Sequence, residues 1–255
     1  MSRIYLAQAR EEGDTVALED AAFRHVARVL RMRVGDRLTV FNGQGSEFAA
    51  RITQMERHAA HVQLEARREA NTESPLHSSL LQAVGKGERM DWALQKATEL
   101  GISAIQPVLT ARCNVKLDAE RWAKKQAHWQ GVLIAACEQS GRLRIPELRP
   151  VAKLDDILDA CTATLRLVLA PQSGRAPIEA VSTVDSVALL VGPEGGLNDE
   201  EIRRAEASGF QSWQIGPRTL RTETAPMVAL ALLQQRFGDY GPPSDSGSAT
   251  VRQRN

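Results

Sequence analysis

The stretch LVGPEGGL at residues 190–197 decides the fold of the C-terminal part of this 255-residue chain. Residues 187–191 form a short, continuous apolar run, which is typical of a strand buried on both faces of a parallel sheet. The paired glycines that follow allow a tight turn, because glycine adopts positive φ at no steric cost. Asn198 and Glu201 have the spacing of a capping box. We therefore predict that a helix begins here and covers Asp199–Ala207.

A second stretch, IGPRTLRTETA at residues 215–225, also places a glycine directly after an apolar strand. One Gly-Gly pair alone more often marks a simple strand–helix turn. Two such loops favour a ligand site, because the carboxyl ends of parallel strands meet at one edge of a sheet. The acidic residues 199–201 would repel a phosphate at the helix N-terminus. We expect a ligand without phosphate, held by backbone amides and carbonyls.

The two loops and four further ordered blocks of the chain resemble the RsmE family, which comprises bacterial methyltransferases of the SPOUT class that modify uridine N3 in small-subunit rRNA. Besides the two loops, the blocks are HVARVLRMRVGD at 25–36, KGERMDWALQKATELG at 86–101, RCNVK at 112–116 and ACEQSGR at 136–142. The resemblance implies an α/β fold, with a C-terminal SPOUT-type parallel sheet and deep trefoil knot that binds S-adenosylmethionine. It also implies an N-terminal PUA-like β-barrel that binds 16S rRNA, and a homodimer.

Composition is that of an ordinary globular protein, with 43% hydrophobic and 25% charged residues. A net charge of +1 favours no particular partner, so any nucleic-acid surface must be a local patch. No apolar run approaches transmembrane length and no signal peptide is recognisable, so we expect no membrane partner and a cytoplasmic location. Cys113, Cys137 and Cys161 are far apart and lack metal spacing, which indicates reduced thiols and no metal.

The pattern of apolar residues predicts two domains and a tail. Residues 1–72 are β-rich, residues 76–240 alternate strands with helices, and residues 241–255 lack core-forming side chains and are expected to be disordered. Predicted strands cover 37–41, 47–52, 60–64, 77–84, 104–109, 165–169, 187–191 and 211–215. Predicted helices cover 20–31, 88–100, 119–139, 155–160, 199–207 and 225–237, with Pro226 in the first turn of the last one.

Arginines line one face of the helix predicted at residues 20–31, opposite Phe23 and Val26. A lone charged stripe is more often a solvated helix face. Arginine rather than lysine suits bidentate phosphate contacts, and the family resemblance further favours RNA. The predicted RNA-binding residues are Arg24, Arg28, Arg31, Lys86, Arg89, Arg112 and Arg142. For Arg142, we also expect an ion pair with Glu138.

Two glycine-rich segments imitate nucleotide-binding motifs but do not satisfy them. The segment at 43–48 has Phe48 at the third glycine position and precedes a strand. The segment at 85–87 has no Ser or Thr after Lys86 and no acidic residue at the ribose-binding distance. We therefore exclude nucleotide-phosphate binding at both segments.

The family motif positions assign the cofactor site, and the chemistry of methyl transfer suggests the catalytic residues. Cofactor contacts fall on Leu169, Gly192, Pro193, Glu194, Gly195, Gly196, Leu197, Ile215, Gly216, Leu220, Arg221 and Thr222. Arg221 is expected to stabilise the anion of the target uracil, and Glu223 is the nearest carboxylate that could accept its proton. Helix capping by Glu223 is an equally good interpretation. A ribose 2′-O-methyltransferase of the same class and a non-catalytic RNA-binding protein are the alternative functions.

Overall fold

The computed structural model describes residues 2–18, 20–68, 71–85, 87–113, 115, 117–170 and 177–241. Lys86 and all but the first residue of the predicted tail lie outside these ranges. The described chain forms two compact units. One comprises residues 1–73, 94–99 and 117–147, and the other comprises residues 74–93, 100–116 and 148–255. The predicted domains, 1–72 and 76–240, are continuous segments, whereas each compact unit combines several separate segments. The predicted boundaries stay a prediction.

The first unit contains a five-stranded sheet in the order β1-β3-β4-β5-β2. Its strands are β1 Arg3–Tyr5, β2 Thr15–Leu18, β3 Arg37–Phe41, β4 Glu47–Met55 and β5 Ala60–Arg68. The predicted strands at 37–41 and 47–52 are confirmed as β3 and the first part of β4, which form a hairpin. The backbone N–H of Asn42 donates to the carbonyl of Ser46 across its turn. Two register shifts within the β4–β5 pair bend the sheet around a buried core.

Strands β1 and β2 escape prediction because they are short edge strands. They have three and four residues, and their pairing partners β3 and β5 are distant in sequence. Too few side chains alternate in either strand to show a period of two. Their conformation therefore depends on tertiary pairing and not on a local pattern.

The arginine-bearing helix is shorter than predicted. Helix α1 covers Asp20–Arg24 and continues as a π-helical turn, His25–Val29, in which Leu30 N–H donates to the His25 carbonyl at 2.9 Å. The prediction of a helix to residue 31 is wrong at its end, because Arg31 has a left-handed φ of 52°. The predicted inward positions Phe23 and Val26 are buried.

Helix α3, Ala119–Ser140, belongs to the first unit. The Asp118 side chain accepts a hydrogen bond from Arg121 N–H at the start of the helix, and Gly141 ends it in the left-handed region at φ 84°. Trp129 and Cys137 on its inner face are fully buried. The bounds agree with the prediction to within one residue.

Arg142 follows α3 and corrects one of the RNA-binding assignments. Its side chain is 6% exposed, and Nη2 donates to the Glu73 carboxylate at 2.5 Å. Nη1 donates to the carbonyl of Thr98 at 3.0 Å. The partner is therefore Glu73 and not Glu138, which accepts a hydrogen bond from the backbone N–H of Tyr5. A guanidinium enclosed in this way is not available to an RNA phosphate.

A second sheet has seven strands in the order β12-β10-β11-β6-β7-β8, and β9 also pairs with β7. All pairs from β12 to β7 are parallel. The strands are β6 His77–Ala83, β7 Ala104–Leu109, β8 Glu147–Leu148, β9 Ala152–Lys153, β10 Leu165–Leu169, β11 Ser186–Val191 and β12 Gln211–Trp213. The helices are α2 Glu88–Glu99, α4 Leu154–Ala160, α5 Asp199–Ala207 and α6 Ala225–Phe237, and a 3₁₀ turn covers Pro177–Ala180.

Strand β11 lies between β10 and β6, and it is buried on both faces as predicted. Ala188 and Leu190 on one face belong to the same core cluster as Leu158 of α4 and Ala205 of α5. Helix α6 also packs on β11, and it begins after Thr224 with a proline in its first turn, as predicted. The strand order places the carboxyl ends of β10, β11 and β12 side by side. The predicted trefoil knot concerns the threading of the loops and stays a prediction.

Among the described residues, no helix is both long and apolar enough to cross a membrane.

Candidate active site

A cavity of about 800 Å³ opens at the carboxyl ends of strands β10, β11 and β12. Both glycine-containing loops contribute to it, together with one face of α5. The predicted cofactor residues that line it are Leu169, Gly192, Pro193, Glu194, Gly195, Gly196, Leu197, Leu220, Arg221 and Thr222. Ile215 and Gly216 are not part of its lining, so their contact with a cofactor stays a prediction. Because residues of both loops line this cavity, the expectation that the two loops share one cavity agrees with the structure.

The first loop, residues 192–197, has a backbone path that requires glycine. A Cβ atom on Gly192 would lie 2.8 Å from the backbone nitrogen of Leu197, which is closer than real Cβ contacts. Gly196 has a φ of 69°, and its N–H donates to the carbonyl of Pro193 at 2.8 Å. The loop is thus a tight turn that returns against the end of its own strand.

The predicted capping box is present at the start of α5. Asn198 Oδ1 accepts from Glu201 N–H at 2.8 Å, and Glu201 Oε2 accepts from Asn198 N–H at 2.9 Å. The other carboxylate oxygen of Glu201 accepts from the backbone N–H of Ala111, which follows strand β7, at 2.7 Å. The positive end of this helix is therefore already compensated, which supports a ligand without phosphate.

A hydrogen-bond relay ties the second loop to the first. The Thr222 hydroxyl donates to the carbonyl of Gly192 at 2.6 Å and accepts from Nε2 of Gln82 at 3.3 Å. Gln82 is 2% exposed near the end of β6, and its Oε1 has no hydrogen-bond partner in the described part of the chain. Gln82 was not among the predicted site residues. Its strand, HSSLLQA, gave no clear signal, because it contains three other polar residues.

Arg221 and Glu223 lie beside each other at the cavity with different exposures. The Arg221 side chain is 77% exposed, whereas that of Glu223 is 15% exposed, and Arg221 Nη1 lies 4.0 Å from Glu223 Oε1. Glu223 Oε2 is buried and has no hydrogen-bond partner among the residues that the structure describes. A capping role would require a carboxylate oxygen to accept a backbone N–H, and Oε2 accepts none. This oxygen is therefore a candidate proton acceptor.

Arg89 and Arg112, two of the predicted RNA-binding residues, lie against the first loop. Arg112 Nη1 donates to the carbonyl of Gly195 at 2.6 Å, and Arg89 Nη1 lies 3.3 Å from Glu194 Oε1. Arg24, Arg28 and Arg31 are exposed in the first unit. An RNA contact by any of these exposed arginines stays a prediction.

The chemistry of the lining fits a nucleoside-like ligand with a cationic group. Apolar walls come from side chains such as Leu169, Leu197 and Leu220. Among the lining residues that the structure describes, four carry carboxylates and three carry guanidiniums: Glu194, Asp199, Glu206 and Glu223 against Arg89, Arg112 and Arg221. This balance does not favour a phosphate. Within the described part of the chain, no cluster of His, Cys, Asp and Glu side chains could hold a metal ion.

Comparison with known proteins identifies the family. Residues 72–234 match the model of the RNA methyltransferase domain, and residues 18–65 match that of the RNA methyltransferase PUA domain. The ribosomal RNA small subunit methyltransferase E of Buchnera aphidicola (strain Sg) is 33% identical over 93% of this chain and 97% of its own length. The chain belongs to the ribosomal RNA small subunit methyltransferase E family. The Bacillus subtilis member is 30% identical over 89% of this chain and 92% of its own.

Solved structures with similar folds include two that contain the methyl donor. A putative methyltransferase of Legionella pneumophila in complex with S-adenosylmethionine matches with a TM-score of 0.90 and 43% identity, covering 93% of this chain and 98% of the other. The methyltransferase E of Neisseria gonorrhoeae bound to S-adenosylmethionine matches with a TM-score of 0.87 and 38% identity, covering 94% and 100%.

Membership of the methyltransferase E family confirms the resemblance to the RsmE family and makes the protein an rRNA methyltransferase with a PUA domain. The mixed α/β architecture expected from that resemblance is confirmed as well. The roles of individual residues are not settled by membership, and they depend on the geometry of the cavity.

Proposed function

We propose that this protein transfers the methyl group of S-adenosylmethionine to N3 of a uridine in the 16S rRNA of the small ribosomal subunit. The observation that supports it best is that Thr222 joins both glycine loops at one cavity. Glu223 Oε2 is buried at the same cavity, without a partner among the described residues. Similar structures that contain bound S-adenosylmethionine support the choice of methyl donor.

The cavity residues would hold the adenosine through apolar contacts and backbone groups. Leu169, Leu197 and Leu220 provide apolar walls, and the first loop offers backbone amides and carbonyls. Ile215 and Gly216 remain proposed backbone contacts. S-adenosylmethionine supplies a methyl group already activated on a sulfonium, so the protein mainly positions the reactants and handles one proton.

Glu223 would accept the proton of the target uracil, and Arg221 would stabilise the anion that results. Uracil N3 carries a weakly acidic hydrogen, and the nitrogen becomes nucleophilic once this proton moves to Glu223 Oε2. The negative charge then spreads onto the uracil carbonyl oxygens, where the guanidinium of Arg221 would stabilise it. The exposure of Arg221 suits a group that meets an incoming RNA base.

RNA binding, assembly and location complete the proposal. Exposed Arg24, Arg28 and Arg31 of the first unit would contact rRNA phosphates. Half-buried apolar side chains such as Met227 and Leu232 on α6 support a homodimer. The small ribosomal subunit as substrate implies action in the cytoplasm. The trefoil knot and the boundaries 1–72 and 76–240 belong to this proposal too.

The decisive experiment incubates undermethylated small subunits with labelled S-adenosylmethionine and analyses the nucleosides by mass spectrometry. We expect N3-methyluridine. A ribose-methylated nucleoside would instead indicate the 2′-O-methyltransferase alternative. Failure of the folded protein to bind S-adenosylmethionine in equilibrium dialysis would favour a non-catalytic RNA-binding protein.

Variants of Arg221 and Glu223 test the assigned roles in the same assay. Arg221→Ala and Glu223→Gln should each lower kcat by about 10²–10⁴-fold while S-adenosylmethionine still binds. The matched control is Arg218→Ala, which removes an exposed arginine from the same loop outside the cavity lining. An equal loss of kcat in Arg218→Ala would contradict the catalytic roles of Arg221 and Glu223, because Arg218 does not line the cavity.

A further inference from the structure

Arg112 contacts the first loop at two backbone positions. Its Nη1 donates to the carbonyl of Gly195 at 2.6 Å and to that of Leu197 at 3.4 Å. Arg112 follows strand β7, so it approaches the loop from a different strand end than the one that leads into it. A hydrogen bond from a guanidinium to a carbonyl is charge-assisted and therefore stronger than a neutral one.

These contacts complete the bonding of two peptide groups, in which C=O and N–H point in opposite directions. In the peptide between Gly195 and Gly196, the oxygen faces Arg112 and the N–H donates to Pro193. In the peptide after Leu197, the oxygen faces Arg112 and the N–H donates to Glu201. Both peptide planes are thus held from two sides.

Packing holds Leu197, which is buried in a hydrophobic cluster, but it does not hold the residues that precede it. Glu194 and Gly195 are exposed, and together with Arg89 and Arg112 they line a second cavity, of about 890 Å³, as well as the first. Gly195 also permits the approach of the arginine, since a Cβ atom there would lie 3.3 Å from Cδ of Arg112. The wall shared by both cavities therefore depends on polar contacts.

We propose that Arg112 is a positioning residue of the cofactor site, which holds residues 195–197 in the conformation that binds S-adenosylmethionine. The inference rests on the proposed function, because it assigns the first loop to the methyl donor. Preorganisation of a binding loop increases affinity by removing the cost of ordering it. Loss of Arg112 thus weakens S-adenosylmethionine binding before it affects rRNA binding.

The experiment measures the Kd for S-adenosylmethionine by equilibrium dialysis and the KM for small subunits on the same samples. Arg112→Ala should raise the Kd by about tenfold, which is the effect of one lost charge-assisted hydrogen bond. The KM for small subunits, measured at saturating S-adenosylmethionine, should change by a smaller factor than the Kd, because the lost contacts lie on the cofactor loop. Arg112→Lys should recover part of the affinity, because an ammonium group can still donate to one carbonyl.

Arg166→Ala is the matched control. Arg166 Nη1 and Nε also donate to backbone carbonyls, those of Ser208 and Ala163, but at the opposite end of strand β10. This variant should lower the melting temperature and leave the Kd for S-adenosylmethionine unchanged, which separates a structural arginine from a positioning one.

Two outcomes would overturn the inference. A normal Kd with a raised KM for subunits would make Arg112 an RNA contact, and an equal rise in Kd for Arg166→Ala would make the effect one of general stability. Neither outcome would contradict the proposed function, because the wild-type protein would still bind S-adenosylmethionine and methylate rRNA. Absence of S-adenosylmethionine binding by the wild-type protein would instead refute the proposed function.

Discussion

The hydroxyl of Thr222 lies 2.6 Å from the carbonyl oxygen of Gly192, and this hydrogen bond joins two loops that are thirty positions apart in the chain. The same hydroxyl accepts a hydrogen bond from the buried Gln82. The ends of strands β6 and β11 therefore meet the second loop at one side chain. Since Arg221 and Glu223 flank Thr222, the relay also sets where the proposed catalytic groups stand relative to the first loop.

Replacement of Thr222 tests the relay. Thr222→Val keeps the shape of the side chain but leaves the Gly192 carbonyl and the Gln82 amide without this partner, so we expect a loss of about 1–3 kcal/mol in the free energy of unfolding. Affinity for S-adenosylmethionine should fall as well. Urea denaturation and equilibrium dialysis measure the two effects. Thr222→Ser retains the hydroxyl and serves as control, and equal behaviour of the two variants would contradict the role of the hydrogen bond.

A methyl group at Gly192 should disrupt the first loop. In Gly192→Ala the new Cβ would lie 2.8 Å from the backbone nitrogen of Leu197, which cannot move aside as a flexible side chain could. We expect destabilisation by about 1–3 kcal/mol and loss of S-adenosylmethionine binding, as measured by thermal melting and dialysis. The control is Gly131→Ala in helix α3, where nothing lies within 4 Å. It should stabilise the protein by about 0.5–1 kcal/mol, because alanine favours helix.

Removal of Arg142 should affect stability and not RNA recognition. Arg142→Ala leaves the Glu73 carboxylate without its buried partner, so the free energy of unfolding should fall by about 3 kcal/mol in urea denaturation. Arg121→Ala, at an exposed ion pair on α3, should change it by less than about 0.5 kcal/mol. A variant of normal stability with weakened rRNA binding would restore the RNA-binding assignment of Arg142.

Glu138 should make stability depend on pH. Burial raises the pKa of Glu138 above its ordinary value of 4.5, although the hydrogen bond from Tyr5 N–H and the charges of His25 and Arg3 oppose the rise. The native state thus binds this proton more tightly than the unfolded state. The resulting contribution to stability is complete below 4.5 and is lost as pH rises through the native pKa.

Glu138→Gln is a neutral mimic that removes this dependence. It should be more stable than the wild type at about pH 7 and should show a smaller difference between about pH 4 and pH 7 in urea denaturation. Unchanged pH dependence in the variant would assign the effect to other groups.

The sequence alone located most regular elements, because their determinants are local. Strands Ala104–Leu109 and Leu165–Leu169 and helices Asp199–Ala207 and Ala225–Phe237 have the predicted bounds. Short apolar runs, helical periodicity and the capping box at Asn198 act within one turn or one strand. The predicted end of β12 at residue 215 was wrong, since the strand stops at Trp213.

The elements that escaped prediction depend on distant partners. Strand β1 exists through its pairing with residues 39–41, and β2 through its pairing with residues 60–63. The π-helical turn His25–Val29 gave no recognisable pattern. Arg142 resembled other surface arginines in sequence, because only the fold brings Glu73 to it across nearly seventy positions.

Apolar patterning and the steric freedom of glycine are properties of neighbouring residues, so the family, the parallel sheet and the residues of the two glycine loops could be predicted without coordinates. How these residues act together follows from the tertiary structure. It brought Thr222 and Gln82 to Gly192, turned Arg112 toward the first loop and enclosed Arg142. Hydrogen bonds and ion pairs between distant residues depend on positions within a few tenths of an ångström, and the packed sheet establishes those positions.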